Sequence, residues 1–461
     1  MKHGLFPLFQ AAWSARCVGF VLAAVAGLAP IALLAQEGGG PPLRVGAASV
    51  DLVGDDSMVI AGGITAGKAQ GQEGRLRCVA TVIERAGTRV AIAACDVLMM
   101  TRATLDPVEE EIERTVGIPR SHILVNCTHT HHAPSTMRIH DYGPDAAFTA
   151  QVQRAIVTAV RSAANQLVDC RFFFALGEER TVGQNSRVLL DDGQIFWIGP
   201  RTNFVRATGP FDPELPVLAF KDGADAWRSI LFNHSTHTIG AKSPGKRSAS
   251  IYGLATQELE AELGGVVTFL EGASGSTHNL ELTGEECVRR VGRSVKETLA
   301  KVQPRRLDQI AAAKRLVNYR VRYFDEEAEA AAVERYCRKY APGGAEVIAR
   351  VFRSMRSELA SQQGDSRSTW VQAIRLGDIA IVGVPAEYFT QLGIDIKNRS
   401  PFRHTYIAEL ANDWIGYLPN LEAHKLGGYQ VWTGFHSYAE AGTGEKIADV
   451  AVSLLQQLAK P

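Results

Sequence analysis

The chain has 461 residues, of which 46% are hydrophobic and 21% charged, enough apolar material for a large core. Lysine plus arginine and aspartate plus glutamate both number 49, so no net charge draws the chain toward nucleic acid. Neutrality excludes little else, and small-molecule or lipid substrates and contact with a membrane surface stay open.

The first 35 residues differ from the rest. Lys2, His3 and Arg16 precede an apolar run over residues 18–34, and Ala35 leads into the loose stretch 36–42. A basic start, an apolar middle and a small residue before a polar break form an export signal. The expectation is a signal over 1–35, a linker over 36–42, and a secreted or periplasmic protein. At about 17 residues the run is also just long enough for an uncleaved N-terminal anchor.

From residue 43 strands alternate with helices. Residues 43–52 and 79–94 read as strands, the second ending in Val90-Ala91-Ile92-Ala93-Ala94 before Cys95-Asp96. Helical spacing follows over 104–116, a short buried strand over 123–125, and a helix over 146–167. A hairpin is expected over 182–197, with Asp192-Gly193 as its turn, and another across Lys221-Asp222-Gly223. Then come a helix over 252–263, a buried strand over 266–270 and a long helix over 284–302. The charged, alanine-rich stretch 326–363, broken by Pro342-Gly343-Gly344, reads as a helical hairpin, either an excursion over the site or a solvated flank. Strands return at 370–376 and 379–384, and a helix over 446–458 closes the chain. The class is α/β: a mixed β-sheet core flanked by helices in one large catalytic domain, 43–461.

Cys78, Cys95, Cys127, Cys170, Cys287 and Cys337 are scattered without C-x-x-C spacing, which argues against a thiolate metal site. Histidine is more informative. Asn126-Cys127-Thr128-His129-Thr130-His131-His132 follows the strand at 123–125. In an extended backbone His129 and His131 would share one face and His132 the other. Imidazole is both a zinc ligand and the usual general base near neutral pH. A second cluster, Phe232-Asn233-His234-Ser235-Thr236-His237, also sits where a hydrophobic strand ends. His234, nearest that end, is the ligand candidate, with His237 behind it. Glu387 in Val384-Pro385-Ala386-Glu387 lies just past a buried strand. Two strand-end imidazoles and one carboxylate would leave an open position for water on a zinc ion.

The ordered segments THTHHAP, FNHSTH, EGASGSTHNL, GVPAEYF and ANDWIGYLPNLEAHKLGGY resemble the neutral/alkaline non-lysosomal ceramidase family. The resemblance runs from about residue 43 to the C-terminus and is to a short bacterial-type member without the C-terminal immunoglobulin-like domain. It implies that His129, His234, Glu387 and Tyr417 coordinate Zn2+ and that His131 acts as general base on the water. It also implies that Tyr429, twelve residues after Tyr417, hydrogen-bonds the oxyanion. Where the family carries a serine before Pro-Asn, this chain reads Gly275-Ser276-Thr277-His278-Asn279, so Thr277, with Ser276 beside it, takes the serine's place. Arg187 stands one position away from the family's Asn-Arg pair.

The expected activity is hydrolysis of an N-acyl amide by a metal-activated water. The absence of a Gly-x-Ser-x-Gly elbow agrees with a mechanism without an acyl-enzyme. An esterase, lactonase or glycan-directed hydrolase on the same scaffold is the first alternative, and a non-catalytic secreted binding protein the second.

Overall fold

A computed structural model describes residues 41–460. The expected signal and nearly all of the linker lie outside the described residues. In chain order the strands of the two main sheets are β1 (Arg44–Leu52), β2 (Leu76–Arg85), β3 (Thr88–Cys95), β4 (Ile123–Cys127), β5 (Val168–Glu178), β6 (Glu214–Asp222), β7 (Trp227–His234), β8 (Val266–Glu271), β9 (Gln303–Arg305), β10 (Ile310–Arg320), β11 (Ser366–Leu376), β12 (Ile379–Gly383) and β13 (His404–Ala408). The larger sheet runs β8-β7-β6-β5-β1-β2-β3-β4, with β9 also paired to β5. The smaller runs β10-β11-β12-β13.

Most neighbours are antiparallel, but three pairs are parallel: β3 with β4, β7 with β8, and β12 with β13. A parallel pair needs a crossover, and here each crossover holds one helix. These are α1 (Arg102–Val116), α3 (Ser250–Leu263) and α7 (Thr390–Arg399). The two sheets stack face to face. Val90 and Ile92 of β3, Phe172 of β5 and Leu231 of β7 meet Ile374 of β11, Ile381 of β12 and Tyr406 of β13 in a shared core. Strand alternation sends Ala91, Ala93 and Cys95 the other way, onto α1 and α2 (Ala146–Asn165). On the same outer side β6, β7 and β8 pack on α3 and α4 (Gly284–Leu299), while the outer side of the smaller sheet packs on α7 and α8 (Thr443–Ala459). The mixed-sheet α/β class is therefore realised as four layers, helices, sheet, sheet and helices.

Local chemistry starts several helices where the sequence places them. The side chains of Asp145, Thr283 and Asp325 accept from Phe148 N, Glu286 N and Ala328 N at the heads of α2, α4 and α5 (Glu326–Tyr340). The expected hairpin over 326–363 is α5 and α6 (Ala345–Leu359). It packs Tyr336, Phe352 and Met355 against Trp432, with Trp197 and Tyr429 at the edge of that cluster, so it backs a wall of the site. Three strands carry little sequence signal. β5 follows α2 without a glycine or proline break, β10 is rich in alanine, lysine and arginine, and β13 is only His404–Ala408. Pairing with neighbours, not propensity, makes them strands.

Candidate metal centre and cavity

The segments leaving the C-terminal ends of the three parallel pairs meet in one place, as ligand sites do in open α/β sheets. After β4, Thr128 N donates to Cys95 O at 2.9 Å and His129 N to Val97 O at 3.1 Å. His129 adopts φ 62°, a left-handed conformation that a non-glycine residue holds at some cost. The backbone thus turns at His129 instead of running on extended, and His131 folds back so that the two Nε2 atoms lie 3.3 Å apart. A Cβ at position 62 would fall 2.2 Å from His131 Nδ1, so Gly62, at φ 105°, leaves the ring its room.

After β7 the chain bends, and His237 reaches the same point: its Nε2 is 2.9 Å from that of His129. Glu387 and Tyr417 arrive as partners in a short parallel pairing of Glu387–Tyr388 with Tyr417–Leu418. Glu387 Oε2 is 3.5 Å from His129 Nε2 and 3.4 Å from His237 Nε2. The Tyr417 hydroxyl is 3.2 Å from His237 Nε2.

Hydrogen bonding behind these atoms sets what they can do. His129 Nδ1 donates to Leu98 O at 3.0 Å and His237 Nδ1 to Ser274 O at 3.1 Å. A carbonyl only accepts, so each ring carries its proton on Nδ1 and turns a bare Nε2 lone pair inward. Trp414 Nε1 donates to Glu387 Oε1 at 3.0 Å, leaving Oε2 toward the imidazoles. Two bare nitrogens and a carboxylate oxygen, all buried, thus surround one point, with the Tyr417 hydroxyl and His131 Nε2 beside them as the donors within reach. Such an acceptor set repels itself unless a cation holds it together. His129, His131 and His237 also form a group whose ligand atoms all lie within 4.8 Å of one another.

The charges follow the same logic. Burial alone would raise the Glu387 carboxyl, but hydrogen bonds and positive charge at the positions of His129 and His237, where a bound cation would act in the same sense, outweigh it and hold the group well below the usual carboxylate range. Burial, reinforced by His129 and His237, drives His131 well below the ordinary histidine value, so it is neutral and able to take a proton. Burial and the Glu387 charge push the Tyr417 phenol well above its usual value, and the same two causes do so for Tyr429.

Beside the centre lies a cavity of about 350 Å³, lined by His131, His237, His278, Tyr417 and Tyr429 and walled by Ile64, Phe196, Trp197, Ile198, Ile239 and Leu280. Tyr429 stacks on Trp197 at 4.4 Å and on His436 at 4.7 Å. Its hydroxyl lies 3.4 Å from His140 Nε2, and His140 Nδ1 donates to Gly63 O at 2.9 Å.

The structure therefore brings together His129, His131, Glu387, Tyr417 and Tyr429 from the residues read in the sequence. His234 is a correction. It is the last residue of β7, two after Phe232, and faces the same side, toward α3. Its Nε2 donates to Glu179 O at 3.0 Å and its Nδ1 accepts from the Tyr252 hydroxyl at 2.6 Å, so no lone pair is left for a metal. His237, three residues on, holds the place given to His234. Thr277 and Ser276 are likewise turned away from the cavity. Thr277 Oγ1 donates to Ser235 O at 2.8 Å and Ser276 Oγ to Thr390 Oγ1 at 3.1 Å. Arg187 is buried, with guanidinium bonds to Gln430 Oε1 at 2.8 Å and Gly427 O at 2.6 Å, and so fixes the loop that presents Tyr429. Trp414 and His278 carry no motif of their own. The signal for Trp414 was its place three residues before Tyr417 in the last resembling segment.

The four-layer αββα sandwich, with a histidine-carboxylate cluster at the ends of its parallel strands, has a neutral ceramidase-like fold. Among solved structures, the neutral ceramidase from Pseudomonas aeruginosa is similar, with a TM-score of 0.72 and 18% identity over 91% of this chain and 74% of that one. A structure of ceramidase complexed with C2 is similar too, at TM-score 0.72 and 17% identity, over 91% of this chain and 75% of that one. No protein-family model matches the sequence, and no curated protein does.

Proposed function

We propose that the chain is an exported, zinc-dependent amidohydrolase that cleaves the N-acyl bond of an apolar, ceramide-like substrate. One observation carries this reading: the bare Nε2 atoms of His129 and His237, 2.9 Å apart with Glu387 Oε2 beside them, open onto a cavity that also holds the neutral base His131. His129, His237, Glu387 and Tyr417 would hold the ion, and two imidazoles with two oxygens suit zinc. Bound there, zinc would supply a Lewis acid that polarises the substrate carbonyl and acidifies a water.

The protein's own groups do the rest. His131, neutral and facing the cavity, accepts the proton of the attacking water and returns it to the leaving nitrogen. Tyr429, held protonated by burial and clamped between Trp197 and His436, turns its hydroxyl hydrogen from His140 Nε2 to the developing oxyanion and hydrogen-bonds it. The apolar wall takes the acyl chain and keeps bulk water from the reacting atoms, which favours a lipid-like acyl group over a glycan. Export rests on the basic and apolar pattern of residues 1–35.

The test is hydrolysis of N-acyl amides by the purified protein before and after chelation. Turnover should vanish on chelation and return with one equivalent of zinc. Unchanged turnover in the chelated protein, or none with zinc restored against a panel of amides and esters, would end the proposal.

A further inference from the structure

Besides His278 and the indole of Trp197, the cavity has six polar side chains in its lining, and each is already engaged. Ser186 donates to Ser276 O at 3.2 Å, Gln430 accepts from Arg187 at 2.8 Å, and Tyr417 and Tyr429 face His237 and His140. His131 and His237 belong to the histidine group. His278 differs: among the described residues neither of its ring nitrogens has a hydrogen-bond partner. It sits on a short strand, Thr277–His278, paired with Gln184–Asn185, and its ring lies flat on His237 at 4.1 Å. It is thus one ring's thickness from the centre, on the same segment whose two hydroxyls, Ser276 and Thr277, turn away from the cavity.

A partly buried imidazole with an idle donor and an idle acceptor costs free energy unless a ligand or water takes them up. No lysine, arginine, aspartate or glutamate lines the cavity, so a charged substrate group would have to leave water with nothing to meet it. A hydroxyl is neutral and, like a neutral imidazole, both donates and accepts. We propose that His278 is a specificity-determining residue that hydrogen-bonds a neutral hydroxyl carried by the substrate beside its scissile amide. The inference rests on the amidohydrolase reading for the identity of that amide, but not for the binding itself.

The cavity volume sets the probe. At roughly 30 Å³ per water-sized group, about a dozen heavy atoms fill the space, so N-hexanoyl ethanolamine and N-propyl hexanamide, which differ by hydroxyl against methyl, are of the right size. Binding of both to the zinc-loaded full chain is measured by calorimetry at low temperature, and the amides are recovered afterwards to establish that neither has been cleaved. The wild type should bind the hydroxylated amide at least about tenfold more tightly, as expected of a site built to pair a hydroxyl. His278→Phe, which keeps the stacking on His237, should bring the ratio close to one, and His278→Gln should restore part of it. Equal binding of the two amides by the wild type, or a ratio unchanged in His278→Phe, overturns the proposal. Zinc content and turnover of the same variants, measured separately, show whether the amidohydrolase reading has failed instead: hydroxyl preference without zinc-dependent turnover would sink that reading and leave His278 its role.

Discussion

Two histidine segments look alike in the sequence and behave differently in the molecule. Thr128-His129-Thr130-His131 and Asn233-His234-Ser235-Thr236-His237 both stand at the ends of hydrophobic strands. In the first, β4 stops at Cys127, and His129, two residues on, turns through φ 62° into the centre. In the second, β7 runs through His234, so that residue keeps the strand's alternation and faces α3 beside Phe232. Only His237, clear of the strand, can turn inward. Distance beyond the last paired residue, not distance from the hydrophobic run, decides which histidine is free to bind.

The comparison can be broken experimentally. The largest effect is expected within the first segment. His131→Ala should keep its metal, because His129, His237, Glu387 and Tyr417 are untouched, but lose about 10² to 10⁴ in kcat, the usual contribution of a positioned general base. Loss of metal together with activity would make His131 a ligand instead.

Next comes the residue that aims the carboxylate. Trp414→Phe removes the donor to Glu387 Oε1. Zinc affinity should fall about 10- to 100-fold, as for other partners that orient metal ligands. An unchanged affinity, by competition with a chelating dye, would show that the contact orients nothing.

The second segment should respond in stability and not in chemistry. His234→Ala strands the Tyr252 hydroxyl and the Glu179 carbonyl in the core, and denaturant unfolding should report a loss of about 1–3 kcal/mol. Its kcat should stay near that of the wild type. A large fall in kcat with stability intact would return His234 to the catalytic set.

The smallest effect is gradual. Burial holds His140 at about 4 and His436 at about 3, both below the ordinary 6.5. Below about pH 6.5 the unfolded chain therefore takes up protons that the folded one refuses, so stability present at neutral pH is lost as the pH falls toward 4. Between pH 6.5 and 5.5 the melting temperature should begin to drop, and replacing His436 with glutamine should make that drop shallower. An identical slope in the variant would show that His436 is not among the groups responsible.

Much of this was open to reading in the sequence. The helices over 146–167 and 284–302, the hairpin over 326–363 and the strands ending at Cys95 and Val125 follow from apolar spacing and capping residues, which are local. What no local pattern carries is how distant strands pair. The join of β1 to β5 through only Arg44↔Asp169 and Val45↔Val168, or the packing of β3 against β12 across the sheets, is decided by partners far along the chain. The site divides in the same way. Glu387 and Tyr417 come together because a two-residue parallel pairing sets them side by side, and the resemblance between short segments reached both. His234 was misplaced because the end of β7 lies two residues beyond the hydrophobic run. Ser276 and Thr277 were misplaced because residue type does not disclose which way a side chain turns, and there it is His278 that faces the cavity.

The most direct test is elemental analysis of three purified proteins: wild type, His237→Ala and His234→Ala. The wild type and His234→Ala should each carry about one zinc ion per chain, and His237→Ala should carry none. Zinc retained in His237→Ala and lost in His234→Ala would contradict the centre described above.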